Sequence, residues 1–281
     1  MLIFNKKADL QNHLAPYLDA GNDIGLVPTM GALHSGHLSL MQRSLHENAV
    51  TVTSIFVNPT QFNNPEDLEK YPRTLEADAD KIKTLSDGII IFSPSVQEMY
   101  EGNTASQHYS FDGLEHQMEG AMRPGHFDGV GTIVKKLFDI VQPTNAYFSE
   151  KDFQQLQIVK KLVQKNNMHI TIVGCPISRE PNGLAMSSRN ERLTTLEKQG
   201  AAFIYQTLTE AKARFGTQSI AAVKQYVAGA FAAHPEFTPE YFEIAPEDTL
   251  IPATTKENAK YRAFIAVFLA NVRLIDNISL N

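Results

Sequence analysis

The chain has 281 residues, of which 43% are hydrophobic, and its formal net charge at pH 7 is −6. This acidic balance argues against a general nucleic-acid-binding protein, which is usually basic. The single cysteine excludes an intrachain disulfide and a zinc site built on cysteines. No apolar run has the length of a signal peptide or a membrane span, so we expect a cytoplasmic protein without nucleic-acid or membrane partners.

Short β-rich runs alternate with helical patterns in the first part of the chain. The sequence predicts strands over residues 23–28, 50–57, 88–92, 145–148 and 168–174. It predicts helices over residues 36–48, 75–86, 129–141 and 152–165. Such alternation is typical of βαβ units and predicts an α/β fold whose parallel sheet is buried on both faces.

The pattern changes after Cys175 and Pro176. Two predicted helices, over residues 197–215 and 219–233, are followed by strands over 239–246, 262–270 and 272–280. The last two strands have no helix between them, which favours an antiparallel sheet. We therefore expect a first domain over residues 1–176 and a smaller C-terminal α+β domain over residues 177–281.

The segment PTMGALHSGH, Pro28–His37, joins the first predicted strand to the next helix. A glycine-containing turn at this junction directs backbone N–H groups at one point, and the helix dipole adds positive charge there, which suits a phosphate. His34 and His37 are three residues apart, so both rings could donate to phosphate oxygens. Alternatively, each histidine is an ordinary surface or core residue and the glycine simply eases the turn. The combination favours the phosphate site, and His-x-Gly-His is a signature of nucleotidyltransferases and class I aminoacyl-tRNA synthetases.

The segment FVNPTQFNNPEDLEKYPRT, over residues 56–74, follows the second predicted strand. Its prolines and asparagines predict a shaped loop, and loops at strand ends carry function disproportionately. Gln61 could bind a carboxylate or a hydroxyl group there. Further on, Asp78 could contact Mg²⁺, although we favour the alternative that LEADAD is a solvated helix face.

The segment SEKDFQQLQ, Ser149–Gln157, has both a structural and a functional interpretation. Ser149 and Asp152 match a helix-capping box. Lys151 and Gln155 are four residues apart, so with Asp152 they lie near one face of the first turns, opposite an apolar stripe. That face could hold an anionic substrate or a phosphate.

The segment REPNGLAMSSRN, Arg179–Asn190, is either a surface linker with an Asn-Gly turn or a ligand-binding loop. Ser187, Ser188 and Arg189 offer two hydroxyls and a guanidinium in a row, a good match to a polyphosphate. The run AMSSR resembles the Lys-Met-Ser-Lys-Ser-like loop that often accompanies a His-x-Gly-His loop. A fourth segment, GAMRPGHFDGVGTIV, contains Arg123, which could touch an anion but has no role that the residues themselves predict.

Together these segments resemble the pantoate–β-alanine ligase family. The resemblance is carried by PTMGALHSGH, FVNPTQF, RPGHFDGV, AYFSEKDFQQL and REPNGLAMSSRN, which span Pro28 to Asn190. It implies a Rossmann-like first domain, a homodimer, and the condensation of pantoate with β-alanine using ATP and Mg²⁺. In this family pantoate attacks the α-phosphate of ATP, and β-alanine then attacks the pantoyl adenylate and releases AMP. Adenylation is needed because a carboxylate is a poor electrophile.

The resemblance also implies roles for individual residues. His37 would donate a proton to the reacting phosphates, with His34 beside it and Lys151 on the phosphates. Gln61 would bind both pantoate and β-alanine, Gln155 would bind pantoate, and Asp78 would contact the metal. The full set of implied ATP-binding residues is Met30, Gly31, Ala32, Leu33, His34, Ser35, Gly36, His37, Ser149, Glu150, Lys151, Asp152, Ser178, Met186, Ser187, Ser188 and Arg189.

Further expectations concern the second domain and positions of weaker correspondence. The run Met186–Arg189 would close over the triphosphate, with the second domain acting as a lid. Asn58 and Tyr71 match positions near substrate or metal. Ser149 and Ser178 stand where glycine and valine are frequent in the family, which removes no side chain that the chemistry needs.

Three alternatives remain open at this point. Another adenylyl- or cytidylyltransferase would lack the pair of Gln61 and Gln155 as a carboxylate pocket. An aminoacyl-tRNA synthetase is disfavoured by the acidic balance and the short second domain. A nucleotide-sensing binding protein without chemistry would not need an intact set of His34, His37, Lys151 and Arg189. Pantoate-dependent pyrophosphate release from ATP would distinguish it.

Overall fold

The computed structural model describes residues Met1–Asn281. The strands are β1 Ile3–Phe4, β2 Ile24–Thr29, β3 Val50–Ile55, β4 Ile90–Phe92, β5 Asn145–Ser149, β6 Thr171–Cys175, β7 Phe237–Pro246, β8 Tyr261–Leu269 and β9 Val272–Ser279. The helices are α1 Lys7–Asp19, α2 Ser35–Glu47, α3 Pro65–Glu69, α4 Leu75–Lys83, α5 Val96–Tyr100, α6 Met118–Met122, α7 His126–Val141, α8 Phe153–Lys165, α9 Thr195–Gly200, α10 Ala202–Phe215 and α11 Ile220–Ala232. Short 3₁₀ turns occur at Pro59–Gln61, Leu114–His116, Glu150–Asp152 and Ser188–Arg192.

The first six strands form a parallel sheet in the order β1-β4-β3-β2-β5-β6. After β2 the chain runs outward through β3 and β4, and it then returns to place β5 on the other side of β2. The strand order therefore reverses between β2 and β5. In open α/β sheets ligands bind at such a switch point, outside the carboxyl ends of the strands. The loops that follow β2 and β5 meet there.

Helices cover both faces of this sheet, as the sequence predicts. Successive residues of β2 face opposite sides: Leu26 packs with α1, α7 and α8, whereas Val27 packs with α2 and α4. The apolar stripe of α8 is buried along its length, at Phe153, Leu156, Val159, Leu162 and Val163. The Rossmann-like α/β fold is therefore confirmed.

The C-terminal part forms a smaller antiparallel sheet in the order β7-β8-β9, with α10 and α11 packed against it. This confirms the predicted antiparallel pairing. The parallel sheet ends at Cys175, one residue before the boundary expected at Pro176. Ala245, Leu250 and Phe264 pack into the core of the parallel-sheet part, so the two parts share apolar contacts.

Some local features differ from the prediction. The sequence predicts neither the edge strand β1 nor the helices α1, α3, α5 and α6, and the single helix expected over residues 197–215 is divided into α9 and α10. A 3₁₀ turn precedes α8, so Ser149 accepts a hydrogen bond from the backbone N–H of Lys151 at 3.2 Å and forms no capping box with Asp152. None of the helices combines the length and the apolar character needed to cross a bilayer.

Candidate active site

A cleft opens at the switch point and is lined by 30 residues. It brings together side chains from all the segments that the sequence singled out. Of the predicted site residues, it is lined by Met30, His34, Gly36, His37, Asn58, Gln61, Tyr71, Ser149, Lys151, Asp152, Gln155, Ser178, Met186, Ser187, Ser188 and Arg189. The predicted residues outside its lining are Gly31, Ala32, Leu33, Ser35, Asp78 and Glu150.

The two histidines close the start of α2 by capping each other. His34 is the N-cap residue, and its Nδ1 accepts a hydrogen bond from the backbone N–H of Gly36 at 3.2 Å. Its own backbone N–H donates to Nδ1 of His37 at 3.3 Å. A Cβ atom on Gly36 would lie 2.8 Å from Cε1 of His34, so glycine is required for this approach. The ring centroids are 4.0 Å apart.

Both imidazoles are neutral at physiological pH. Burial is the main cause that lowers the pKa of His34 to about 4 and that of His37 to about 3, and the nearby Lys151 lowers both further. A neutral imidazole whose Nδ1 accepts a hydrogen bond carries its proton on Nε2. Both residues line the cleft, and each neutral ring therefore offers an uncharged Nε2–H donor.

Asp78 organises the loop that carries these histidines. Its carboxylate is fully buried and accepts hydrogen bonds from the backbone N–H of Ala32 at 2.9 Å and of Leu33 at 2.7 Å. Gly31 has a φ of +82°, and a Cβ there would lie 3.1 Å from Oδ2 of Asp78. The favoured interpretation of Asp78 as part of a solvated helix face is therefore wrong, because the helix turns it inward.

The same contacts correct the expectation that the turn directs its free backbone N–H groups at a phosphate. The N–H of Gly31 donates to Oγ1 of Thr29, and those of Ala32 and Leu33 donate to Asp78. These three N–H groups shape the loop and are not available to a phosphate. No group of three His, Cys, Asp or Glu side chains that could hold a metal ion is present, and the Asp78 carboxylate is already occupied by the loop.

The turn after β5 presents Lys151 to the cleft, and the last strand holds this turn in place. The Asn277 amide on β9 donates to the backbone carbonyls of Glu150 and Lys151 at 2.8 and 2.9 Å. The Glu150 side chain points elsewhere and pairs with Arg262 at 3.3 Å. Lys151 Nζ lies 3.6 Å from the Asp152 carboxylate.

Gln61 lies at the opposite wall of the cleft, in the 3₁₀ turn after β3. Its Oε1 accepts a hydrogen bond from Nδ2 of Asn58 at 3.2 Å, and its Nε2 lies 2.9 Å from Sδ of Met30. Asn58 is buried, with 1% of its surface exposed. The amide of Gln61 is thus held at the cleft by neighbours of the same loop and of the histidine loop.

Two residues that the sequence left without a role also hold Gln61. Its backbone carbonyl accepts hydrogen bonds from Nη2 of Arg123 at 3.2 Å and from Nδ1 of His126 at 2.8 Å. Both side chains line the cleft. The sequence does not single out His126, although it stands in the RPGHFDGV segment, because a single histidine at the start of a helix carries no signal by itself.

The run Met186–Arg189, the serine–arginine loop, already lies against the histidine loop. Ser188 Oγ donates to the backbone carbonyl of Ala32 at 3.0 Å, and Ser35 Oγ donates to Sδ of Met186 at 2.9 Å. Arg189 Nη2 pairs with the Asp67 carboxylate at 2.8 Å. The interpretation as a surface linker is therefore wrong for this part of the segment, since it forms one side of the cleft.

Comparison with known proteins shows the family to which the chain is similar. The family model described as pantoate-beta-alanine ligase matches residues 2–279. A protein of Flavobacterium psychrophilum named pantothenate synthetase is 63% identical over 281 residues, and the match covers 100% of both chains. One of Bacteroides fragilis with the same name is 48% identical, over 99% of this chain and 98% of the relative.

Solved structures agree with the fold as well. A pantothenate synthetase structure from Thermus thermophilus superposes with a TM-score of 0.93 at 38% identity, covering 100% of this chain and 99% of that one. A pantoate-beta-alanine ligase structure from Francisella tularensis, described as complexed with beta-gamma ATP and beta-alanine, gives a TM-score of 0.83 at 33% identity. The match covers 100% of this chain and 98% of that chain.

Proposed function

The chain belongs to the pantoate–β-alanine ligase family, and from that premise we propose how its cleft divides the work of the family's reaction among its residues. The enzyme condenses pantoate with β-alanine at the expense of ATP, through pantoyl adenylate. The observation that carries the proposed roles is the convergence on one cleft of the histidine loop, Gln61, the turn with Lys151, Gln155 and the serine–arginine loop.

The nucleotide triphosphate lies between the histidine loop and the serine–arginine loop. Lys151 and Arg189 supply positive charge, and Ser187 and Ser188 supply hydroxyl donors. His34 and His37 supply Nε2–H donors that are neutral before the reaction. Charge that builds up on the phosphates during transfer strengthens these hydrogen bonds, and donors held in place beforehand need no reorganisation at that moment.

Pantoate lies on the other side of the α-phosphate, at Gln61 and Gln155. Its carboxylate oxygen attacks the α-phosphorus, a new P–O bond forms, and the bond to pyrophosphate breaks. Gln155 lies one helical turn after Lys151, so pantoate and the phosphates are held by the same short stretch of chain. The cleft walls near Val130, Ile133 and Val134 are apolar and limit water access to the mixed anhydride.

β-Alanine replaces pyrophosphate in the second step and binds close to Gln61. Its amine attacks the acyl carbon of pantoyl adenylate and displaces AMP. The residues present offer no cluster of three acidic ligands, so Mg²⁺ would arrive with the substrate as MgATP and would offset the negative charge of its phosphates.

Assembly and location are proposals that rest on the resemblance and on composition. The family resemblance supports a homodimer, and a single cysteine fits a reducing compartment such as the cytoplasm. Light scattering on the purified protein would measure the dimer, and a mass of one chain would contradict it.

Release of pyrophosphate from ATP that depends on pantoate tests the assigned reaction. Pyrophosphate release without pantoate would favour another nucleotidyltransferase.

The Gln155→Ala variant should lose about 0.5–1.5 kcal/mol of pantoate affinity, or more if the partner is charged, with ATP affinity unchanged. Gln157 lies on the same helix outside the cleft, so Gln157→Ala is the matched control. Calorimetric titration of each substrate measures the affinities for pantoate and for ATP separately. An equal loss of ATP affinity would contradict the role of Gln155.

A further inference from the structure

Three imidazoles line the cleft, and one of them has the opposite protonation pattern. His126 Nδ1 lies 2.8 Å from the backbone carbonyl of Gln61, which can only accept. The ring must therefore carry its proton on Nδ1, and a neutral ring then has a bare lone pair on Nε2. Nε2 of His126 makes no hydrogen bond within the chain, whereas Nε2 of His34 and of His37 each carry a proton.

The second step of the reaction needs such a lone pair. The amine of β-alanine is an ammonium group at neutral pH, because an alkylamine keeps its proton until well above pH 7. An ammonium group cannot attack an acyl carbon until it has lost one proton. None of the donors on the phosphate side of the cleft can accept that proton.

We propose that Nε2 of His126 takes the proton from the β-alanine ammonium and thereby acts as the general base of amide formation. The proposal rests on the placement of β-alanine at Gln61, the residue whose carbonyl His126 holds. The neutral amine forms the C–N bond to the acyl carbon, and the C–O bond to the AMP phosphate breaks. The second proton of the amine leaves with the AMP phosphate or to solvent, and His126 returns its own proton to solvent after product release.

The other titratable groups of the cleft suit this role less well. Arg123, Lys151 and Arg189 are cations and only donate. The Asp152 carboxylate already faces Lys151 at 3.6 Å. Burial raises the pKa of Tyr71, so its hydroxyl stays protonated.

The charges around His126 allow it to be neutral before the step and to accept a proton during it. Burial, followed by Arg123, lowers the pKa of His126 to about 4 in the free enzyme, while the Gln61 carbonyl, Glu119 and Asp152 raise it. The ring is therefore unprotonated when substrate arrives. The adenylate phosphate and the β-alanine carboxylate add negative charge beside it, and nearby negative charge raises the pKa of an imidazole.

The test separates the proposed base, Nε2 of His126, from the contact of Nδ1 with the carbonyl of Gln61. In His126→Asn the side-chain amide retains a donor close to the place of Nδ1 and removes Nε2. Single-turnover reaction of enzyme-bound pantoyl adenylate with β-alanine should slow by about 10²-fold or more, the usual contribution of a general base. Hydroxylamine is uncharged at neutral pH and needs no base, so its reaction with the adenylate should stay within a few-fold of wild type.

The pH profile gives a second readout. With β-alanine, the wild-type rate should level off once His126 is unprotonated, whereas the variant rate should keep rising about tenfold per pH unit, as the free amine does. The wild-type profile alone tests the proposal if the variant does not fold. A wild-type rate that keeps rising into the alkaline range would overturn it.

Arg123→Gln is the control, because Arg123 donates to the same carbonyl of Gln61 without offering a base. It should affect β-alanine and hydroxylamine alike. Equal slowing of both nucleophiles in His126→Asn would show a positioning role only and overturn the proposal. The assignment of β-alanine to Gln61 has a separate test. An unchanged KM for β-alanine in Gln61→Ala would contradict that assignment.

Discussion

The two loops that enclose the nucleotide side of the cleft are built in opposite ways. In the histidine loop most of the backbone N–H groups already have partners: they donate to Asp78, Thr29 and the two imidazoles. In the serine–arginine loop the main charged contact is an ion pair between Arg189 and Asp67, each with more than a quarter of its side chain exposed. One loop is fixed before substrate arrives, and the other holds a contact that a phosphate can replace. The first presents neutral donors with fixed geometry, and the second supplies charge.

The largest effect expected from breaking the fixed loop is at His37. His37→Ala removes an Nε2–H donor from the transferring phosphate and should slow adenylation by about 10²–10³-fold. His37→Gln retains a donor close to Nε2 and should recover part of the rate. The measurement is pantoate-dependent pyrophosphate release by variants with unchanged circular dichroism. Activity of His37→Ala within a few-fold of wild type would refute the assignment.

The anchor of the same loop should have the next largest effect. Asp78→Asn keeps the shape of the side chain but replaces one carboxylate oxygen by an NH₂ group, which cannot accept a hydrogen bond. Each buried backbone N–H left unpaired costs about 1–3 kcal/mol. We expect a lower free energy of unfolding in urea, and an adenylation rate reduced by about tenfold or more because the histidines lose their alignment.

Asp80→Asn is the matched control for Asp78, since Asp80 is on the same helix with 75% of its side chain exposed. It should change neither quantity. If Asp78→Asn behaved like Asp80→Asn, the loop would not depend on its buried carboxylate.

Removing charge from the exchangeable loop should have a smaller effect on rate but a distinctive one on product ratio. Arg189→Ala should slow adenylation by about tenfold, the value of one charge-assisted hydrogen bond, and let more adenylate hydrolyse. More than one AMP should then form per pantothenate at subsaturating β-alanine. Arg189→Lys should recover part of the rate. A ratio of one with an unchanged rate would exclude a closing role for this loop.

The Arg192→Ala variant separates the effect of losing an ion pair with Asp67 from the effect of losing the charge that Arg189 presents to the cleft. Arg192 shares the Asp67 carboxylate, at 3.4 Å, but does not line the cleft. Arg192→Ala should therefore leave the ratio of AMP to pantothenate at one.

The smallest effect is expected at Asp67 itself, and it has the opposite sign. Asp67→Ala frees Arg189 from a partly exposed ion pair worth about 0–1 kcal/mol, so ATP should bind more tightly, by at most about fivefold. The gain should shrink as salt concentration rises. Calorimetry at two ionic strengths measures both, and weaker ATP binding would show that Asp67 positions Arg189 for the nucleotide instead of competing with it.

The sequence predicts the fold and the composition of the cleft well, and for a common reason. Alternating strands and helices follow from local periodicity, and parallel strands place the loops at their carboxyl ends together. That is why segments as distant as His37 and Arg189 could be expected at one site.

Long-range partners could not be predicted in this way. Asp78 lies in an acidic run that is equally typical of a solvated face, and only the packing of α4 against the sheet shows that its carboxylate is buried. The strand β1 has two residues, too few for a period of two to be visible. The role of His126 depends on its contact with the backbone carbonyl of Gln61, which lies 65 positions earlier in the sequence.

The Asn277 amide that holds the turn of Lys151 has a consequence for how the protein is made. The two carbonyls that it binds belong to residues synthesised 127 and 126 positions earlier. On the ribosome, the parallel sheet can emerge complete while the lysine turn still lacks its tether. Activity should therefore arise late, with the last strand, well after the nucleotide-binding part has been translated. A nascent chain stalled before β9 would have the histidine loop and yet no competent enzyme.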